Sequence, residues 1–516
     1  MDTKQLRQDV AEGTVEVDRL VDLIASQQKL IAQQQAELEA LKKQLEALKQ
    51  LEALKQQIEK NPTPRLDEAY SEKAEEERQA KAQGKPKPRK KPKRQGRITT
   101  ADKIARAART ETVYPADCDH DDCRFSHTRV AWRLEDGRAI LVAYEIHRYG
   151  NKFGQPPGLP GRGEFGMEIL IAVAYQVYTL GLSLDKACQV LGFFQGLTLT
   201  KSQANALLNQ LARQWEAEFD TLCLLLANAA VVHCDETSWS INSVWAFLTD
   251  TLTLMFYGVH KDGDTLQQIL DKATFQGVLV SDDAAIYQGF SKSQKCWAHL
   301  LRKAIKLTLQ APGNKTYRDF TDSLLALYHK AKRIARDQRY NNAGRQRRVK
   351  ELDDELLALC SERWFDENQE MEGVEADYRR LVNEIMRLML TRELFVFVTT
   401  AGVDGNNNAS ERELRDDAKR RSTGRTNKTA NGAKRQTIIT SVLRTLSKQL
   451  SKFTLQSVIA EVQRWATCGR SSFTDQAAAA SLSRPPPDAD QHSLLTRIIL
   501  NADALQPASA IPGRRK

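Results

Sequence analysis

Near the start of the chain, apolar residues recur at heptad spacing: Val17, Leu20, Ile24, Ile31, Leu38, Leu41, Leu45 and Leu48. The pentad LEALK begins at 38, 45 and 51, so its last step is six residues and the seam is disturbed there. With Glu and Lys filling the flanks, this pattern predicts a coiled coil over about residues 1–60 that joins copies of the chain. A lone solvated helix is the plainer alternative. Gln27 and Gln34 at core-type positions would cost stability and fix the register of a coil.

Further on, the helical period returns after the Gly/Pro-rich break GQPPGLPGRG. FGMEILIAVAYQVYTLG closes at Gly181, SLDKACQVLGFF opens on a Ser183 cap, and TKSQANALLNQLARQW opens on a Thr200 cap. Three short helices with tight turns suit either a helix-turn-helix unit or an ordinary packing block. In the first case Lys201, Gln203 and Asn205 would face a DNA groove. From 229 the texture changes to apolar runs: AAVVHCDET, SVWAFLTD and LTLMFYGVH read as three strands, DTLQQILDKAT as a helix, and GVLVSDDAAIY as a fourth strand with its exit. Helical periodicity and charge then dominate residues 300–395.

Composition narrows the class. The chain has 516 residues, 41% of them apolar, enough for a sizeable core and several domains. A net charge of +10 favours an anionic partner, nucleic acid first. Eight cysteines without dense spacing do not make a secreted disulfide scaffold, and no apolar run is long enough to span a membrane. The expectation is a soluble cytoplasmic protein, associated with the nucleoid when bound to DNA. The run KPKPRKKPKRQGR adds a basic linker within 61–110, either a non-specific phosphate grip or a solubilising tether. In residues 111–155, Cys118, His120, Cys123 and His127 have short spacings that suit zinc, or else belong to a small β-hairpin unit with free thiols.

Two predicted strands end in carboxylates, Asp235 and Asp282, and Glu411 opens a helix in NNNASERELR. Hard oxygen ligands of this kind suit Mg²⁺ or Mn²⁺ bound together with phosphate oxygens. Two such ions can activate the attacking oxygen and stabilise the leaving oxygen of a phosphoryl transfer. Each carboxylate also has an ordinary reading, as a turn or a helix start.

Taken in order, HCDETSW, VLVSDDAAIYQGF, CWAHLLRK and RELFVFVTTAGVDGNNNASERELR resemble the transposases of the insertion sequence 66 family, over roughly residues 160–445. The resemblance implies a DDE-type recombinase on an α/β ribonuclease H-like core over 221–445, with a helical insertion at about 305–395. It implies that Asp235, Asp282 and Glu411 hold Mg²⁺ (or Mn²⁺), cut double-stranded DNA at the element's terminal repeats and join the freed 3′-hydroxyl to target DNA. The N-terminal coil, small zinc region and helical DNA-binding block at 156–220 match the family's layout, and accessory transposition proteins are further partners. Arg302, Lys303, Arg412, Arg415, Arg420 and Arg421 are placed to meet phosphates, Arg through its bidentate fork. His299 is either a secondary participant or packed beside Trp297, and Trp239 and Trp245 read as core.

Two departures from the family stand out. Only one close cysteine pair is present where the family usually has two, and Asp283 replaces a more usual glycine. Residues 446–516 are expected to be a helix followed by a flexible tail. Two other readings keep the fold: a DNA-binding protein without catalysis, and a metal-dependent nuclease that cuts without joining.

Overall fold

The computed structural model describes residues 98–482 except 117, 362–371 and 428, together with residues 12, 13, 34, 35, 39, 42, 494, 495 and 498. The chain divides into residues 1–94 and 95–516. Most of the predicted coiled coil and most of the basic linker lie outside the described residues.

Residues 100–110, expected to fall within the linker, carry helix and strand. Helix α1 (Thr100–Ala105) is closed by a reciprocal capping box between Thr99 and Asp102. Strand β1 (Arg109–Val113) then lies parallel to β3 (Arg138–Tyr149), which pairs antiparallel with β2 (Arg124–Glu135) and with the short β4 (Lys152–Phe153). The β2–β3 turn is Asp136-Gly137, with φ of 47° and 75°. A type I′ two-residue hairpin needs positive φ at both central positions, which is why Asp-Gly serves there.

The helical block comprises α2 (Met167–Ala174), α3 (Leu184–Gln195) and α4 (Lys201–Ala227). A π turn over Tyr175–Thr179 follows α2. Ser183 and Thr200 cap α3 and α4, and Gly196 ends α3 at φ 71°. The block is not a separate unit. Along α4, Leu207, Leu208, Leu211, Trp215, Phe219, Leu222 and Leu226 form one buried stripe that shares a core with the strands that follow. The expected boundary between 220 and 221 therefore cuts through a core helix.

The main sheet has five strands: β5 (Val231–Ser238), β6 (Ser243–Leu248), β7 (Thr253–Val259), β8 (Val278–Ser281) and β9 (Ser293–Lys295), in spatial order β7-β6-β5-β8-β9. The first three form an antiparallel meander, and β8 and β9 join β5 in parallel after helix α5 (Gly263–Ile269). β6 and β7 are buried throughout, so both faces read as apolar. Val232, Cys234, Trp245, Phe247 and Phe256 face α2 and α4, whereas Val244, Ala246, Leu248 and Tyr257 face a smaller cluster on the other side.

Helices α6 (Trp297–Gln310), α7 (Lys315–Arg336), α8 (Asn342–Ser361), α9 (Gly373–Leu390) and α10 (Val396–Thr399) form the insertion. It has its own core, which reaches the sheet through Val278 and Val280 of β8. The chain returns through α11 (Asn408–Ser422) and α12 (Ala430–Gln449). α12 closes the edge strand β7. Thr437, Ser441 and Thr445, spaced one turn apart, accept from the amides of Tyr257, Met255 and Thr253 at 3.0, 2.9 and 3.2 Å. An exposed edge is an invitation to pair with another chain, and here three hydroxyls satisfy it. Gly258 permits the approach: its φ is +76°, and a Cβ there would lie 2.8 Å from that of Ala433.

The C-terminal region also departs from expectation. α13 (Leu455–Cys468) and α14 (Ser472–Ala479) are ordered, and Val458, Phe473, Leu495 and Ile498 are buried in the main core. The expected flexible tail from about 470 does not hold for these residues.

Candidate active site

The strand register draws the two aspartates together. β5 and β8 pair in parallel with His233 opposite Val280, and continuing that register by two residues sets Asp235 beside Asp282. Asp235 also lies opposite Ala246 of β6, on the face over which α11 packs through Leu414. Residues three apart share a helix face, so the packing of Leu414 turns Glu411 toward the same face.

The start of α11 is fixed by Asn407, which is fully buried. Its Nδ2 donates to Cys234 O at 2.7 Å, its Oδ1 lies 3.3 Å from His233 Nδ1, and its backbone N–H donates to Cys296 Sγ at 3.1 Å. This residue makes no side-chain cap on its own helix and instead clamps the helix to β5 and to the start of α6.

Around the carboxylates the electrostatics are uneven. Burial, the neighbouring Glu236 and then the charges of Asp282 and Glu411 push Asp235 up to about 7, against one hydrogen bond from the Glu236 amide. Asp282 Oδ1 accepts from Ala284 N at 3.0 Å. Glu411 Oε1 accepts from Arg302 at 2.6 Å and lies 3.7 Å from His299 Nε2. The His299 imidazole is held below its ordinary range by burial and by Arg302, with Glu411 opposing. Asp283 pairs with Arg387 of α9, away from Asp282's neighbours on β5. Glu236, on the opposite face of β5 from Asp235, is buried between Lys261 and the Tyr287 hydroxyl.

Two features of the site escaped sequence reasoning. Lys295 is 1% exposed, with Nζ donating to Ser281 Oγ at 3.2 Å and ion-paired with Glu393 Oε1 at 3.9 Å. Burial depresses it, and Glu393, Asp283 and Asp282 oppose that depression. Cys296 is the other. Among the described residues, the group whose potential ligand atoms all fall within 4.8 Å is Cys296, His299 and Glu411. The Cys296 thiol is raised by burial and already accepts the Asn407 amide, which suits a structural role. The three carboxylates form the harder donor set. Asp235, raised by burial and then by its acidic neighbours, is the group whose charged form a divalent cation would favour, and Glu411 keeps Oε2 clear of the Arg302 contact. Among the described residues the ligand atoms of Asp235, Asp282 and Glu411 do not all fall within 4.8 Å of one another, so it is the oxygen chemistry of the donor set, and not a closed ligand cluster, that suits a hard divalent cation. A cavity of about 230 Å³ opens beside Asp282, lined also by Asp283, Lys295, His299, Lys303 and Glu384.

The remaining predicted residues scatter. Gln203 is consumed by its capping box, accepting from Thr200 N at 3.0 Å, and Asn205 accepts from Arg435 at 2.6 Å. Lys201 is exposed beside Asp185. Lys303 pairs with Glu384 at 2.6 Å. Arg412 and Arg415 are exposed, but Arg420 donates to the carbonyls of Tyr178 and Thr179 at 2.9 and 2.7 Å, and Arg421 braces Ser238. Of the residues expected to face DNA, Gln203 Oε1, Asn205 Oδ1, Arg421 Nη1 and both terminal nitrogens of Arg420 have intramolecular partners. Trp239 and Trp245 are core residues. Asn408 opens α11, its amide donating to Asn406 Oδ1 at 3.1 Å.

Cys118 and Cys123 come within 3.2 Å through their sulfurs, whereas His120 stacks on Tyr114 at 4.0 Å and His127 contacts Ser126. Burial and the adjacent Cys118 push the Cys123 thiol up to about 11. The four do not converge on one point among the described residues.

A family model described as Transposase IS66 family matches residues 162–435, just over half of the 516. No curated protein matches the chain. No helix among the described residues is long and apolar enough to cross a membrane.

Proposed function

The chain belongs to the IS66 transposase family, and from that premise we propose that it cuts double-stranded DNA at the ends of an insertion sequence and transfers the freed 3′-hydroxyl into target DNA. Asp235, Asp282 and Glu411 are the catalytic triad of a ribonuclease H-like core. The observation that supports this reading is that Asp235 and Asp282 sit at the ends of neighbouring parallel strands of a sheet ordered β7-β6-β5-β8-β9, with the charges of Asp282 and the α11 Glu411 both acting on Asp235.

Divalent cations held by the three carboxylates would supply Lewis-acid activation of the attacking and leaving oxygens. The protein's own work is positioning. Neighbouring strand ends hold Asp235 and Asp282, and Asn407 sets the helix start that presents Glu411. Arg302 orients Glu411 and offers its remaining donors to a scissile phosphate. His299, held neutral by its surroundings, can accept or return a proton at Nε2 next to Glu411. Arg412 and Arg415 extend the positive surface along α11 toward the DNA backbone. Copies of the chain pair through residues 1–60, and the protein acts in the cytoplasm on chromosomal DNA with accessory proteins as further partners. Zinc at the Cys118–Cys123 pair would need His120 and His127 to turn toward it.

The test is a strand-transfer assay on labelled duplexes ending in the element's terminal repeats, with Mg²⁺ or Mn²⁺. Joined products from the wild type, absent with Asp235→Asn, Asp282→Asn and Glu411→Gln at undiminished DNA affinity, are expected. Equal cutting by all four proteins would reject the triad. Cutting without joining would instead identify a nuclease.

A further inference from the structure

A basic pocket lies on the insertion side of α11. It has a volume of about 370 Å³ and is lined by Lys332 and Arg336 of α7, Arg345 of α8 and Arg412 of α11, around the loop 400–406. Its single acidic lining residue is Asp404. Elsewhere on the insertion, exposed bases are matched to carboxylates: Lys303 to Glu384, Lys306 to Asp377 and Arg348 to Glu351. Among the described residues, none of the four pocket cations forms such a pair. Arg345 instead donates to the carbonyls of Val398 and Asp337 at 3.5 and 3.4 Å, which fixes the fork without cancelling its charge. Lys332 lies 5.5 Å over the Tyr328 ring, a contact that likewise leaves its charge in place.

We infer that this pocket is a binding site for backbone phosphates of the DNA strand. The inference rests on the DNA-transposing reading and deepens it: the insertion contributes its own phosphate grip, beside the residue that follows Glu411. Four cations from three helices, Arg345 held by carbonyls and Lys332 by a ring, outnumber the acidic groups Asp404 and Asp337 beside them and make an anion site. The cavity also falls within the volume range of sites that take small ligands. Because backbone phosphates carry no sequence information, the grip acts equally on element ends and on target DNA.

The test measures DNA affinity of the full-length protein as a function of salt, in EDTA so that no chemistry occurs. Lys332→Gln/Arg336→Gln is compared with Lys315→Gln/Lys350→Gln, which removes the same charge from exposed positions of the same insertion. Loss of two phosphate contacts should flatten the slope of log K against log salt by about 1.8, with little change in the control. An unchanged slope in the pocket variant, or an equal change in the control, would overturn the assignment, as would a wild type that binds no DNA. If the pocket variant loses slope while strand transfer is absent even in the wild type, the catalytic reading fails and the pocket stands.

Discussion

Two carboxylates in this molecule have been pushed in opposite directions. At the sheet face, Asp235 is raised to about 7, first by burial and then by acidic neighbours. At the C-terminal corner, burial also raises Glu461, but hydrogen bonds from Arg464, Trp465 and Ser472 outweigh it and bring the group down to about 2. Glu461 Oε1 accepts from all three at 2.8, 2.7 and 3.0 Å. The difference teaches how to tell a site from a brace. Glu461 is surrounded by donors that favour its charged form, whereas Asp235 has one such donor among acidic neighbours, the electrostatics that the proposed cation ligand would have.

The comparison breaks most sharply by neutralising each group in turn. Asp235→Asn should lower strand transfer at least about a thousandfold while leaving the metal-free melting temperature unchanged or higher, because it removes a repelled, half-buried charge. A fall in melting temperature would show that Asp235 is structural. Trp297→Ala tests the insertion that backs the site: it is fully buried, donates to Leu394 O at 2.6 Å and stacks on Tyr328. Denaturant titration should show a loss of about 3–5 kcal/mol. Asn407→Ala removes a buried clamp rather than a ligand, at about 1–3 kcal/mol, with strand transfer falling further than stability alone explains. Retained activity at full stability loss would separate the clamp from the positioning of Glu411.

Smaller effects sharpen the other side. Glu461→Gln should cost about 1–2 kcal/mol at neutral pH. The Glu461 pKa is depressed in the folded state, so its contribution is fully present above the ordinary carboxylate value of 4.5 and is lost as pH falls toward 2. Acid unfolding of wild type and variant should therefore converge below pH 4.5, and parallel curves would refute the brace. Ser441→Ala leaves the Met255 amide unpaired at the sheet edge and should cost about 1 kcal/mol.

Much of the site was legible because its signals are local. Asp235 and Asp282 follow apolar runs, Ser183 and Thr200 announce helix starts, and the ordered motifs from HCDETSW to NNNASERELR carried the family resemblance. These depend on period, capping and turn chemistry, which neighbouring residues alone set. Other features depend on partners distant in sequence. Arg420 and Arg421 look like phosphate ligands until the π turn and Ser238 arrive to bind them, and Asn205 looks available until Arg435 does. Nothing near Cys296 or Lys295 in the chain foretells a thiol accepting the Asn407 amide or a buried ammonium behind Asp282.

The sequence by itself determined four strands of the main sheet, the helix starts at Ser183 and Thr200 and the acidic triad as a candidate, because each is written in spacing and residue type over a few neighbours. Only the tertiary structure decided that the helical block shares the sheet's core, that the C-terminal helices seal it, and which arginines remain free to meet phosphate. Hydrogen-bond partners and burial are set by residues hundreds of positions apart, and no local pattern encodes them.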